Sequence, residues 1–197
     1  MKLIFATNND HKVEEIRAVA GNKFEILTLK EAGIDIDIPE PYDTLEENAS
    51  EKASTIYQLT ATNCFSEDTG LEVDSLQGEP GVKSARYAGD GRSFEKNIEK
   101  LLKKLDKVAN RRARFRTVIS LIIDGRETRF EGIAEGQIID AKTGSFGFGY
   151  DPVFVPDGST KTFAEMSMEE KNQFSHRKKA TEKLVAYLQD LELNQRN

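Results

Sequence analysis

Two long β-type runs, residues 113–124 and 127–139, are joined through Asp124-Gly125, and no other feature restricts the fold of this 197-residue chain as strongly. Asp-Gly supplies the positive-φ residues of a tight turn whose twist matches paired antiparallel strands. A long antiparallel hairpin therefore belongs at the centre of the fold.

Other elements surround it. Residues 2–6 read as a short buried strand, Thr7 to Asp10 as a polar turn, and Val13, Ile16, Arg17 and Ala20 fall at helical spacing before Gly21-Asn22. Residues 24–27 read as a second strand, and 33–41 as an extended stretch in which Ile34, Ile36 and Ile38 alternate with Asp35 and Asp37. Asp43 or Thr44 caps a helix that runs to about Thr60, Thr44 with Glu47 having capping-box spacing. Residues 64–73 read as strand, turn, strand around SEDTG, and 77–92 as a glycine-rich loop. Ile98, Leu101, Leu102 and Leu105 give the helix of residues 94–105 one apolar stripe. A capped polar segment at 162–172 precedes a final helix from about His176, and the terminal NQRN is expected to fray. These elements predict an α/β fold, a mixed sheet with helices packed around it in two lobes with a central cleft, all within one domain of residues 1–197.

Composition narrows the function. A net charge of −6 disfavours partners that need a basic face, so neither nucleic acid nor a membrane surface is an expected partner. The four-residue apolar run Leu3–Ala6 is too short for a membrane span or a signal peptide. Cys64 is the only cysteine, which excludes an intramolecular disulfide and points to a reducing, cytoplasmic setting.

Four stretches can carry chemistry. In FATNNDHK, residues 5–12, a strand gives way to a helix N-terminus, where free N–H groups and the helix dipole favour anions. Thr7, Asn8, Asn9 and Lys12 add donors there, though the same residues also make an ordinary capped turn. Carboxylates form the second group: Glu40 between two prolines, Glu47 and Glu51 one helical turn apart, and Glu67-Asp68 at a strand end. Mg²⁺ takes one or two carboxylates plus phosphate oxygens, so several of these converging would suit it. Asp68 stands out, following the core strand NCFS and preceding Gly70. The third stretch is GSFGFGYDPVF, residues 144–154. As a strand it would place Phe146, Phe148 and Tyr150 on one face and bare glycine backbone on the other, suited to a flat ligand, or would simply be a kinked core strand. The fourth, EEKNQFSHRKK, gathers Lys171, His176, Arg177, Lys178 and Lys179, a cluster that can meet phosphates or form a solvated face.

Taken together and in order, FATNNDHK, ENASEKA, SEDTGLEVD, PGVKSARYAG, FGYDPVF and EEKNQFSHR resemble the inosine/xanthosine triphosphate pyrophosphatase family, which includes the dITP/XTP pyrophosphatases. The resemblance runs to residue 177, and FGYDP followed by SHR at this separation is its most specific part. It implies Mg²⁺-dependent hydrolysis of the α–β phosphoanhydride of ITP, dITP, XTP and dXTP, giving the nucleoside monophosphate and pyrophosphate. It also implies an elongated mixed sheet with a cleft between two lobes, and a homodimer; the functional reading further requires the segments near residues 68 and 148 to face one another across one groove. Residue by residue, Thr7, Asn8, Asn9, Asp10, His11 and Lys12 match the phosphate-binding turn. Asp68 matches the proton acceptor and metal ligand, Thr69 a substrate contact, and Glu40 a metal-binding glutamate. Phe148, Gly149, Tyr150 and Asp151 match the base-binding segment, and Lys171, His176 and Arg177 the remaining substrate contacts. Lys52 is assigned to the substrate, and Glu47 is a further metal candidate. Here TNN replaces the more usual TGN, and Glu67 and Thr69 replace Asp and Ser.

A purine with oxygen at C6 presents an acceptor where adenine presents a donor, so donors from backbone, His176 or Arg177 would select against ATP. The same reaction on other modified nucleotides, and a nucleotide-binding regulator without catalysis, are the alternative functions.

Overall fold

The structure, a computed structural model, describes residues 1–194. The expected fraying of NQRN falls on residues 195–197, outside the described residues. Seven strands and five α-helices follow one another: β1 (Lys2–Phe5), α1 (Asp10–Ala20), β2 (Glu25–Thr28), α2 (Leu45–Thr60), β3 (Cys64–Val73), β4 (Pro80–Gly81), α3 (Phe94–Lys104), β5 (Arg112–Ile123), β6 (Arg126–Ile138), β7 (Phe154–Pro156), α4 (Met168–Asn172) and α5 (His176–Asn194). The sheet is mixed, in the order β2-β1-β3-β5-β6-β7, with β4 paired to β3. β1 is parallel to both β2 and β3, whereas β4 on β3 and β7 on β6 are antiparallel. The expected central hairpin is β5–β6, and Asp124 (φ 49°) and Gly125 (φ 79°) make its turn. The α/β class and the mixed sheet with its long hairpin are thus as the sequence predicts.

The chain divides into two compact units. The first comprises Met1–Asp68, Thr117–Gly132 and the chain from Arg177 onward. Alternation along β1 gives it two cores: Leu3 and Phe5 pack with Val13 and Ile16 of α1 and Ala180, Leu184 and Leu188 of α5. Ile4 and Ala6 point the other way, towards Ala53 and Ile56 of α2. Phe5 and Phe65 stack at 4.5 Å, joining the adjacent strands β1 and β3. Cys64 is buried in this unit, and burial pushes its thiol up to about 12.

The second unit, Thr69–Arg116 and Ile133–His176, has its own core. Leu71 and Val73 of β3, Ile98, Leu101 and Leu105 from the α3 segment, Phe115, Phe154 and Phe163 form it. Each such side chain contributes about 1.5–3 kcal/mol on burial, against roughly 1 kcal/mol for a cap such as Ser93. The apolar stripe, more than the cap, therefore holds α3 in place.

Two local readings need correction. Residues 64–73 form one continuous strand, with no turn at SEDTG. Gly70 is a glycine because β4 crosses it closely: a Cβ there would lie 2.7 Å from the Gly81 carbonyl oxygen. Residues 144–150 are bends and turns, not strand. Gly144, Gly147 and Gly149 all have positive φ, which breaks the alternation, so Phe146 is 63% exposed while Tyr150 is buried. No helix among the described residues is long and apolar enough to cross a membrane.

Candidate active site

Where β1 ends, the chain turns through Thr7, Asn8 and Asn9 into α1. Asn9 caps the helix, its side-chain oxygen accepting from the Lys12 amide at 3.3 Å. Thr7 Oγ1 accepts from the Asn9 amide at 3.2 Å, and Asn8 Nδ2 donates to the Ile36 carbonyl at 3.1 Å. These side chains shape the turn, while Asp10 and His11 are exposed on the first turn of α1. The Lys12 ammonium lies 2.5 Å from Glu67 Oε1.

Lys52 stands at the centre of the acidic group. A buried residue of α2, it donates to Glu40 Oε1 at 2.6 Å, the Glu67 carbonyl at 2.9 Å and Asp68 Oδ1 at 3.3 Å. Burial alone would lower the Lys52 pKa, but Asp68 and Glu40 outweigh it, and the net direction is upward. Asp68 is raised, by burial first and by the Glu40 and Glu67 carboxylates, against the pull of Lys52 and Lys12. Its Oδ2 is buried and has no hydrogen-bond partner among the described residues. A carboxylate held by one oxygen, with the other buried and uncommitted, is suited to accept a proton or meet a ligand.

A third set lies in the same unit. Arg177, from the first turn of α5, is 2% exposed and donates from Nη1 to Glu15. Its Nε is 3.2 Å from Glu67 Oε2 and its Nη2 3.4 Å from Glu67 Oε1. Four carboxylates (Glu15, Glu40, Glu67 and Asp68) thus stand with three cations, Lys12, Lys52 and Arg177.

The base-binding candidates belong to the second unit. Asp151 Oδ2 accepts from the Phe148 amide at 3.0 Å and from Lys171 Nζ at 2.7 Å, clasping the glycine turn. That Lys171 ammonium lies 5.4 Å from the centre of the Phe148 ring and 5.3 Å from that of Phe163. Phe148 and Gly149 are partly exposed. The Tyr150 ring lies in the core and its hydroxyl donates to the Ser84 carbonyl at 2.8 Å, so Phe148, half-buried with the Phe94 ring 6.1 Å away, is the more accessible of the two rings. His176 is buried and stacks on Phe115 at 4.7 Å, with Phe163 at 6.1 Å. Thr69 is half-buried on β3.

The structure thus groups Lys12, Glu40, Lys52, Asp68 and Arg177 in one ion cluster, and Phe148, Asp151, Lys171 and His176 around one aromatic set. Glu47 stands apart from that cluster's contacts: it is exposed on the first turn of α2, where its carboxylate accepts from Thr44 Oγ1 at 2.6 Å. Among the described residues no three His, Cys, Asp or Glu side chains form a ready-made metal cage. Mg²⁺ does not need one, because it binds through one or two carboxylates and takes the rest from phosphate and water. Asp68, with its uncommitted Oδ2, and half-buried Glu40 beside it fit that donor set.

Sequence reasoning passed over Glu15 and the connecting role of Glu67. Lys12 and Arg177 were the available signal, since two cations inside a core require carboxylates. It also passed over Ser84 and Asn97 in and after PGVKSARYAG. Ser84 Oγ accepts from the Leu71 amide at 2.9 Å and donates to the Gly81 carbonyl at 2.6 Å. Asn97 Oδ1 accepts from the Ala88 amide at 2.7 Å, so this loop is pinned at several points.

The profile described as "Ham1 family" matches residues 3–187. A dITP/XTP pyrophosphatase of Porphyromonas gingivalis is 52% identical over 188 residues, covering 95% of this chain and 97% of that protein. One from Flavobacterium johnsoniae is 48% identical over 188 residues, covering 95% and 98%. The solved Staphylococcus aureus Ham1 protein superposes with a TM-score of 0.87 at 40% identity, covering 96% of this chain and 99% of that one.

Proposed function

The chain belongs to the Ham1 family, and from that membership we propose that it hydrolyses non-canonical purine nucleoside triphosphates, dITP, ITP, XTP and dXTP, to the monophosphate and pyrophosphate. Water attacks the α-phosphorus, a P–O bond forms, the α–β bridging bond breaks, and pyrophosphate leaves with the bridging oxygen. The observation that carries this reading is Asp68: buried, raised above the ordinary aspartate range, and holding Oδ2 uncommitted while Lys52 fixes Oδ1. Asp68 Oδ2 accepts the proton of the attacking water.

Positioning and charge do most of the work in phosphoryl transfer. Lys12 and the free N–H groups that open α1 receive phosphate oxygens, with Thr7, Asn8 and Asn9 holding the turn. Lys52 holds Asp68 and Glu40 in place and offsets triphosphate charge. Asp68 and Glu40 would hold Mg²⁺, which would supply positive charge to offset that of the phosphates. Phe148 stacks on the purine, and Lys171 and Asp151 fix the turn that carries it. Donors from the Gly149 and Tyr150 amides and His176 face the C6 oxygen, which adenine lacks, the Phe148 and Asp151 amides being spent within the turn. The protein works as a homodimer in the cytoplasm; the free buried thiol of Cys64 suits that setting.

The test is pyrophosphate release from dITP, XTP, GTP and ATP, with and without Mg²⁺, by wild type and Asp68→Asn. Turnover of dITP and XTP in Mg²⁺ is expected, little with ATP or GTP, and a loss of about 10²–10⁴-fold in the variant. Wild-type rates in the Asn variant would remove Asp68 from this role, and ATP hydrolysed as fast as dITP would remove the base assignment.

A further inference from the structure

We propose that Glu15 is a positioning residue, which acts through Arg177 and Glu67 to set where the Lys12 ammonium stands. The inference rests on the reading of Lys12 as a triphosphate contact. Glu15 occupies the buried face of α1 beside Val13 and Ile16 and is 5% exposed. A carboxylate there is costly unless an ionic partner meets it. Arg177 is that partner, through Nη1. A guanidinium is planar and its donors diverge in a fixed fork, so holding Nη1 fixes the direction of the opposite edge. That edge faces Glu67, with Nε at 3.2 Å from Oε2 and Nη2 at 3.4 Å from Oε1. Glu67 Oε1 then also takes Lys12 at 2.5 Å.

The charges explain why the far carboxylate matters. Glu15 and Glu67 balance Arg177 and Lys12, two against two. Because Glu15 shares Arg177, Glu67 retains enough negative charge to hold Lys12. Without the Glu15 charge, Glu67 would have to hold both cations through these contacts. Lys12 has the more exposed side chain of those two, 16% against 2%, and is the one that water can release. The phosphate lysine then loses its fixed position, while the Lys52–Asp68 hydrogen bond is not one of the links that move, Asp68 meeting Glu67 and Lys12 through charge alone. Binding should therefore suffer far more than the chemical step.

A double-mutant cycle with Glu15→Gln and Lys12→Met tests this, read by dITP kinetics and by calorimetric binding of inorganic tripolyphosphate. Glu15→Gln is expected to raise KM for dITP and weaken tripolyphosphate by roughly tenfold, with kcat within about twofold of wild type. In the Lys12→Met background the same change should have little further effect. Glu15→Asp, which keeps the charge, should recover part of the loss, and it replaces the Gln variant in the cycle if that variant does not fold. Additive effects of the two substitutions, or a fall in Tm with KM unchanged, would overturn the proposal. Absence of pyrophosphate release by wild type, with the coupling still present in tripolyphosphate binding, would instead remove the enzymatic reading and leave the positioning role standing.

Discussion

A carboxylate buried as deeply as that of Asp68 is held above the ordinary aspartate range by desolvation first and by Glu40 and Glu67 next, with Lys52 and Lys12 pulling the other way. Folding therefore favours its neutral form. The stability it contributes is fully present below the ordinary aspartate pKa of about 3.9 and is lost as pH rises through the raised value. Above it the unfolded chain releases the proton freely, while the native state must either carry a charge that burial opposes or hold the proton, and either costs stability. Asp68→Asn removes that charge, and Lys52 keeps Glu40 and the Glu67 carbonyl as partners. In metal-free buffer at pH 7 the variant is expected to gain about 1 kcal/mol, worth roughly 2–4 °C in Tm for a chain of this size. At about pH 3 the two proteins should melt together. Calorimetry at both pH values checks it, and an Asn variant that melts below wild type at pH 7 would contradict the stated balance. Asp68 was legible in the sequence through its strand end, but the pairing of Glu15 with Arg177 was not, because no local pattern links residues 162 positions apart.

Elements were legible where one local signal decided them. The Asp124-Gly125 turn, the Thr44 cap of α2 and the apolar stripe of α3 all formed as read. Elements decided by tertiary contact were not. β3 stays straight through SEDTG because β4 packs over Gly70, and the aromatic run is not a strand because its backbone wraps the Asp151 carboxylate. Gly147 marks that wrapping: with φ 73°, a Cβ would stand 2.1 Å from Asp151 Oδ2. Gly149 has φ 61° but nothing within 4 Å of a Cβ. Gly149→Ala should therefore cost only the left-handed backbone, about 1–2 kcal/mol. Gly147→Ala must also push Asp151 away from the Phe148 amide and Lys171, at a charge-assisted bond of about 1.5–3 kcal/mol. We expect Gly147→Ala to raise KM for dITP at least tenfold more than Gly149→Ala, since each 1.4 kcal/mol is about tenfold. Steady-state kinetics and Tm on both variants decide it, and equal effects would show that the Asp151 clasp does not position the base segment.

For the whole molecule, no composition shift along the chain marks the two units, because each is assembled from separated stretches and β3, β5 and β6 contribute to both. Charge is the global property that the sequence does give, and it sets a contrast between two kinds of phosphate ligand. A net charge of −6 disfavours a partner that needs an extended basic face. On β5, Arg112 is bound to Asp157 and Arg114 to Glu72. A triphosphate needs only a few fixed cations, and Lys12 and Lys52 are largely shielded from solvent, with side chains 16% and 8% exposed. Salt screens such groups much less than surface charges, for which the Debye length is about 10 Å at 0.1 M. A protein that grips six to ten nucleic-acid phosphates loses roughly 10³–10⁵ in affinity between about 50 and 200 mM salt. Over that range the KM for dITP is expected to change by less than about threefold, with no binding of a labelled DNA or RNA oligonucleotide tighter than about 10⁻⁴ M at either end. Kinetics and fluorescence anisotropy in one salt series measure both. Oligonucleotide binding that weakens steeply with salt would mean that the surface carries a basic track despite the acidic net charge.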